Sequence, residues 1–150
     1  MKKISTYILS VLLLFIISAS GIFAQSGDEL EWKSIEEVQK EVVDNPKLVF
    51  IDFTAKWCGW CKVMDKKTFT SPEVIEYLNE NFYSVKLNFD NPRRFEFMGE
   101  QYTAKDFAKS HGITGLPTML VFNPDMKLND RIVGYQKPKQ FINKLKPFLE

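Results

Sequence analysis

The chain has 150 residues, of which 45% are hydrophobic and 14% aromatic, so it can bury one ordinary core and is too short for two. Its 20 basic and 19 acidic side chains are spread along the sequence and leave a formal net charge of +1, with no basic stripe. This composition predicts a single domain and excludes a nucleic-acid surface.

The N-terminal segment has the pattern of a secretory signal peptide. Two lysines precede an apolar run over residues 8–17, and small residues lead to a cleavage site near Ala24. Residues 1–24 are therefore predicted to be a signal peptide, and residues 25–150 a periplasmic or secreted domain in an oxidising compartment. The alternative is an uncleaved membrane anchor, because residues 4–23 are nearly long enough to span a bilayer.

The first half of the domain predicts helices on either side of a strand. A capping box at Ser34 predicts the first helix. Residues 48–53 are almost continuously apolar, which is typical of a strand covered on both faces, and Asp52 is their one charge. A second helix is predicted from Gly59, and a helix restarts at Pro72 because proline is favoured at the first helical position.

The second half predicts a strand, a helix, a hairpin and a final helix. Residues 82–89 alternate in part and predict the strand, whereas residues 91–102 fit no element. Thr103 is predicted to cap a helix that ends at Gly112, since glycine adopts the left-handed conformation most easily.

The C-terminal part predicts two antiparallel strands, over residues 116–122 and 130–135, joined by a proline-containing turn. A last amphipathic helix begins near Pro138. The order of elements is helix, strand, helix, strand, helix, strand, strand, helix. It implies an α/β fold with a central mixed β-sheet flanked by helices on both faces.

The two cysteines of the chain, Cys58 and Cys61, directly follow the first strand. At the start of a helix, free backbone N–H groups and the helix dipole favour the thiolate of Cys58. Cys61 lies three residues further on the same face, so the pair can close a short disulfide and reopen it. A purely structural disulfide is the lesser alternative, because so small a loop constrains the unfolded chain little.

A metal centre is not predicted at these sulfurs. Zinc needs about four ligands, and only His111 supplements the two cysteines. Copper(I) accepts two thiolates, so a copper-carrying module stays an alternative. His111 itself is expected at the surface near a helix end, where its charge suits the dipole.

With the Cys-x-x-Cys motif, this order of elements and the sequence Gly-Leu-Pro-Thr at 115–118, residues 32–149 resemble the secreted thioredoxin-fold thiol-disulfide oxidoreductases. The resemblance implies a thioredoxin fold in which Cys58 is the attacking thiol and Cys61 the resolving thiol. It further implies that Asp52 is a buried acid beneath them, with Lys86 as its charged neighbour. A solvated strand end is the alternative for Asp52.

The resemblance also implies a substrate surface around the disulfide. Pro117 is expected to be a cis proline that faces the sulfurs and leaves the Leu116 backbone able to pair with an extended substrate. Trp57 and Trp60 are expected to be partly exposed beside Gly59, where they form an apolar platform for flexible partners. The predicted substrate-binding residues are therefore Trp57, Gly59, Trp60, Leu116 and Pro117.

Two features depart from the family pattern. Trp60 stands where thioredoxins carry proline, which leaves the redox potential open. Residues 91–102 look like an insertion relative to the plain fold, and they are a candidate partner surface.

The predicted function is extracytoplasmic reduction of protein disulfides by dithiol-disulfide exchange. Electrons are expected from a membrane thiol donor, the substrates are protein thiols and disulfides, and the protein is expected to be a monomer. The chemistry requires no metal or organic cofactor, since the Cys58–Cys61 disulfide is the redox group. The alternatives are a disulfide oxidant or isomerase, and a non-catalytic thioredoxin-fold binding or copper-carrying module.

Overall fold

The computed structural model of the protein describes residues 29–150. The predicted signal peptide or anchor, residues 1–24, and the predicted start of the domain at residue 25 lie outside the described residues. Within residues 29–150, no helix is long and apolar enough to cross a membrane.

The chain order of the elements follows the predicted alternation of helices and strands. The elements are β1 (Trp32–Lys33), α1 (Ile35–Asp44), β2 (Leu48–Thr54), α2 (Gly59–Lys67), α3 (Pro72–Asn81), β3 (Phe82–Asn88), β4 (Phe95–Phe97), β5 (Glu100–Tyr102), α4 (Ala104–Ser110), β6 (Thr118–Phe122), β7 (Leu128–Val133) and α5 (Pro138–Leu145), with a final 3-10 turn at Lys146–Phe148.

Five strands form the central sheet, in the order β1-β3-β2-β6-β7. The first three strands are parallel to one another, while β6 runs antiparallel to β2 and β7 antiparallel to β6. The predicted mixed sheet is thus confirmed. The edge strand β1 was not predicted, because two residues are too few to show a period.

Helices cover both faces of the sheet, as predicted. On one face, α1 and α4 pack against Val49, Ile51 and Phe53 of β2. On the other face, α2, α3 and α5 pack against Leu48 and Phe50 of the same strand. Because successive side chains of a strand point to opposite faces, a continuous apolar run places β2 in the middle of both cores.

Helix starts follow their predicted caps. The Ser34 hydroxyl accepts a hydrogen bond from the Glu37 N–H, and the Glu37 carboxylate accepts one from the Ser34 N–H, which completes a capping box. Thr103 accepts a hydrogen bond from the Asp106 N–H at the start of α4. These caps satisfy N–H groups that have no partner inside the helix.

The prediction that residues 91–102 fit no element is wrong. Strands β4 and β5 pair as a two-stranded antiparallel hairpin. Phe95 and Phe97 are buried against Phe107 of α4, with ring centroids 5.5 and 4.8 Å from its ring, while Glu96 between them is exposed. An apolar–polar–apolar alternation of only three residues is too short to be recognised as a strand in the sequence. Burial of the two phenylalanine rings is what stabilises these strands.

The strands of the C-terminal hairpin differ in their bounds from the prediction. Strand β6 begins at Thr118, two residues after the predicted start, and β7 runs from Leu128 to Val133, two residues earlier than predicted at each end. Helix α5 ends at Leu145, and the chain continues as a 3-10 turn because Pro147 has no N–H to extend the helix.

Candidate active site

The disulfide lies where β2 leads into α2. Cys58 is the N-cap of α2, and its Sγ accepts a hydrogen bond from the Cys61 N–H at 3.1 Å. The two residues form a disulfide with their Cα atoms 5.3 Å apart. The predicted short disulfide at a helix start is therefore present, and the same N–H group is placed to stabilise a thiolate on Cys58 after reduction.

The surroundings of the disulfide are apolar and partly covered. Cys58 and Cys61 are buried with Ala55, and Phe89 and Leu116 pack against this cluster. Both cysteines are therefore largely shielded from water, with Cys58 5% and Cys61 2% exposed.

Two large aromatic residues that neighbour the cysteines in sequence have exposed side chains. Trp57 is 67% exposed and Trp60 61% exposed, so the predicted exposure of both is confirmed. Trp60 stacks on Tyr135, with ring centroids 5.3 Å apart and an interplanar angle of 30°. The stack joins the first turn of α2 to the loop between β7 and α5.

The loop before β6 contains the cis Leu116–Pro117 bond that the resemblance implied. Gly134, at φ +80°, donates its N–H to the Pro117 carbonyl at 2.9 Å and so ties the loop to the end of β7. The N–H and carbonyl of Leu116 make no hydrogen bond to another described residue. This backbone is thus available to pair with an added extended segment.

Asp52 is buried in the middle of the sheet, at 2% exposure, so the alternative of a solvated strand end is wrong. It lies in register with Lys86 on the adjacent parallel strand β3, which places both side chains on the same face. The Lys86 Nζ lies 3.9 Å from the Asp52 carboxylate.

The burial of Asp52 raises its pKa from 3.8 to about 7. The positive charge of Lys86, the neighbour that the resemblance implied, opposes this rise, and the negative charge of Asp65 adds to it. A carboxyl group that titrates near neutrality can accept and return a proton under ordinary conditions.

Asp65 and Trp32 belong to this site and were not predicted. The Lys86 ammonium donates a hydrogen bond to Asp65 on α2 and lies 4.3 Å from the centroid of the Trp32 ring on β1. Asp65 follows Cys61 by four residues on one helix, a spacing that puts both on one face and was a usable signal. Trp32 had no such signal, because β1 is too short.

His111, the one histidine that could supplement the two cysteines, packs instead against Phe107 and Phe122. It is the C-cap of α4, as expected near a helix end; its Nδ1 lies 2.8 Å from the Phe107 carbonyl, and its ring is partly buried and partly exposed. Among residues 29–150, no cluster of three or more histidine, cysteine or acidic side chains is arranged to hold a metal ion.

The mixed sheet, the disulfide at a helix start and the cis proline are features of the thioredoxin fold. Residues 35–149 match the thioredoxin-like domain family, and the chain belongs to that family. The match covers more than half of the chain and includes both cysteines and Asp52.

The chain is also similar to thiol:disulfide interchange protein DsbD of Campylobacter jejuni (strain RM1221). The two are 26% identical over 114 residues, which cover 76% of this chain and 18% of that protein. The chain thus spans about a fifth of the length of the curated relatives it matches.

Two solved structures show the same fold. A DsbH oxidoreductase superposes with a TM-score of 0.67 at 20% identity, covering 81% of this chain and 85% of that one. The oxidised C-terminal domain of Neisseria meningitidis DsbD superposes with a TM-score of 0.58 at 24% identity, covering 75% and 90%. Family membership and the Cys58–Cys61 disulfide together support thiol-disulfide exchange as the chemistry of this site.

Proposed function

We propose that the protein is an extracytoplasmic thiol-disulfide oxidoreductase that reduces disulfides in other polypeptides through Cys58 and Cys61. The observation that carries the proposal is the disulfide at the start of α2, with the Cys61 N–H directed at the Cys58 sulfur. Cys58 is the attacking residue in this proposal because the helix N-terminus stabilises its thiolate rather than that of Cys61.

The reaction begins with both cysteines reduced. The Cys58 thiolate attacks one sulfur of a substrate disulfide, forms a mixed disulfide, and releases the other substrate sulfur as a thiolate. Cys61 then loses its proton, attacks the Cys58 sulfur and releases the second substrate thiolate. Two electrons pass to the substrate, and the Cys58–Cys61 disulfide seen in the structure is the product.

Asp52 is the proposed acceptor of the Cys61 proton. It is buried on the sheet face that α2 covers, and its raised pKa of about 7 makes its carboxylate a stronger base than an ordinary aspartate. The proton returns to solvent when Asp52 ionises again. Lys86 limits the rise of the Asp52 pKa, which keeps part of the population ionised near neutral pH.

The substrate is proposed to be an extended polypeptide segment. It pairs with the unbonded backbone of Leu116, beside the cis Pro117, and places its cysteine against the sulfurs. Trp57 and Trp60 supply exposed apolar surface, and Gly59 between the cysteines adds no side chain in the way. Backbone pairing and apolar contact do not depend on particular side chains. This mode of binding therefore favours flexible segments without requiring one sequence.

The direction of transfer and the location are also part of the proposal. A buried acid on the strand that leads to the pair, and no histidine between the cysteines, support reduction over oxidation. The apolar N-terminal pattern of residues 1–24 supports a location outside the cytoplasm, where a membrane thiol donor would return electrons to a monomeric domain.

The direct test is reduction of insulin disulfides by the dithiothreitol-charged protein. We expect turnover that Cys58→Ser abolishes, because no thiolate is left at the helix start. The matched variant Cys61→Ala is expected to retain one round of attack and to accumulate disulfide-linked partners. If Cys58→Ser retains full biological activity, the protein is a binding module and the proposal is wrong.

The direction is tested by equilibration with a glutathione buffer. A reduction potential near that of thioredoxin, about −270 mV, agrees with a reductase. A potential well above about −180 mV would instead assign the protein to the oxidants or isomerases.

A further inference from the structure

Lys86 sits between two carboxylates that compete for it. It donates a hydrogen bond to Asp65 on α2, whereas its Nζ stays 3.9 Å from the Asp52 carboxylate on β2. The separation from Asp52 exceeds a hydrogen-bond distance, so the closer pairing is the one with Asp65.

Aromatic rings hold the ammonium in this position. The Lys86 Nζ lies 4.3 Å from the centroid of the Trp32 ring and 5.3 Å from that of Phe69. Both distances allow a cation–π interaction, which restricts the ammonium further than a free lysine at a surface. The contacts with the two rings therefore hold the Lys86 ammonium near Asp65, at the partly exposed edge of the site.

The same groups line an open cavity at the surface. A cavity of about 350 Å³ is lined by Trp32, Asp65, Phe69 and Lys86, among others. The side chains of Lys86 and Asp65 are 27% and 38% exposed, whereas that of Asp52 is 3% exposed. The ion pair is thus much more exposed to water than the buried acid that Lys86 also approaches.

We propose that Asp65 is a positioning residue that draws Lys86 away from Asp52 and thereby weakens the ion pair between Lys86 and the buried carboxyl group. The inference rests on the proposed function, because it concerns the proton acceptor of that reaction. Among residues 29–150, Asp52 is the other carboxylate within 4 Å of the Lys86 Nζ, and a closer pairing of the two would favour the ionised form of Asp52.

The charged and titratable groups that act on Asp52 come from two of the elements packed around it. Lys86 belongs to β3 and Asp65 to α2, and α2 adds the thiol of Cys61 when the disulfide is reduced. The neighbour of Asp52 on β6 is Met119, which carries no charge. The oxidised protein therefore isolates the competition between the two carboxylates.

The experiment follows the titration of the Asp52 carboxyl carbon by carbon-13 NMR in the oxidised protein. With Asp65→Asn, we expect the midpoint of the Asp52 titration to fall by about one pH unit, which is a tenfold lower affinity for the proton. Asp65→Glu is expected to restore it, since a carboxylate is present again. The control Asp44→Asn removes the same charge from the exposed end of α1, where no described contact reaches Lys86, and should leave the midpoint unchanged.

A double-mutant comparison shows whether Asp65 acts through Lys86. Lys86→Met alone should raise the Asp52 midpoint, because the opposing positive charge is gone. In the Lys86→Met background, Asp65→Asn should then move the midpoint by less than about half a unit. Three results would each overturn the proposal. The first is a shift of the Asp52 midpoint by about one pH unit in the Lys86→Met background, and the second is a similar shift with Asp44→Asn. The third is an unchanged Asp52 midpoint with Asp65→Asn alone.

The same variants also separate this inference from the proposed function. The acid limb of the pH profile for insulin reduction should move downwards with Asp65→Asn, in parallel with the NMR midpoint. Failure of the unmodified protein to reduce insulin would refute the proposed function, whereas the carboxyl titration does not depend on turnover.

Discussion

Replacement of Asp52 by asparagine should stabilise the oxidised protein at neutral pH. The folded state holds the proton of Asp52 up to about pH 7, whereas the ordinary pKa of this group is 3.8. The folded protein therefore binds more protons than the unfolded chain between these two values. Stability from this group is fully present below pH 4 and is lost as the pH rises to about 7.

The size of the effect follows from that difference of about three pKa units. Each unit corresponds to about 1.4 kcal/mol, so ionisation of Asp52 costs the wild type about 4 kcal/mol above pH 7. Asparagine has the same shape and does not ionise. The difference in free energy of unfolding between Asp52→Asn and wild type should therefore be small at pH 3.5 and rise to about 4 kcal/mol by pH 8.

Urea unfolding at a series of pH values, followed by tryptophan fluorescence, measures this difference. The slope of free energy against urea should be equal for the two proteins, so that midpoints can be compared directly. A difference that stays flat between pH 3.5 and 8, or a wild type that is the more stable at pH 8, would refute the reasoning.

Asp106 provides a control of opposite sign. The Thr103 hydroxyl donates a hydrogen bond to its carboxylate and lowers its pKa. Asp106→Asn should therefore remove stability that is present at neutral pH and lost as the pH falls towards the acidic range.

Three further predictions concern the fold. Phe107→Ala should lower the free energy of unfolding by about 3–5 kcal/mol in urea titration, because the ring is fully buried among other aromatic side chains. Ser34→Ala should cost about 1 kcal/mol in the same assay, through loss of the capping box of α1. Gln39→Ala should speed amide exchange in the β4–β5 hairpin, because its side chain bonds the Glu96 carbonyl and the Met98 N–H.

A specific result would contradict each of these three predictions. Val43, 77% exposed on α1, is the control for Phe107, and comparable losses for the two alanine variants would argue against the aromatic core. No loss with Ser34→Ala would contradict the cap, and unchanged exchange with Gln39→Ala would show that ring burial alone holds the hairpin.

Much of the fold was predictable because its signals are local. The capping box at Ser34, the apolar run of β2 and the Thr103 cap each depend on a few neighbouring residues, and each is present in the structure. The β4–β5 hairpin escaped prediction because its stability comes from Phe95 and Phe97 packing on α4, contacts that no local pattern contains.

The candidate site divides in the same way. A disulfide at the start of a helix follows from two cysteines placed directly after a buried strand, and apolar neighbours were enough to predict that Asp52 is covered. The pairing of Lys86 with Asp65, the Trp32 ring beside it and the stack of Trp60 on Tyr135 join residues from separate elements.

The sequence by itself determined the redox pair, the helix that begins at it and the class of fold, because these depend on spacing and on the period of apolar residues. Only the tertiary structure decided how Asp52 is charged. Parallel register puts Lys86 beside it, and the packing of α2 brings Asp65 to the same ammonium. A carboxyl pKa depends on the distances to such charges and on exclusion of water, and both arise only when the elements are assembled.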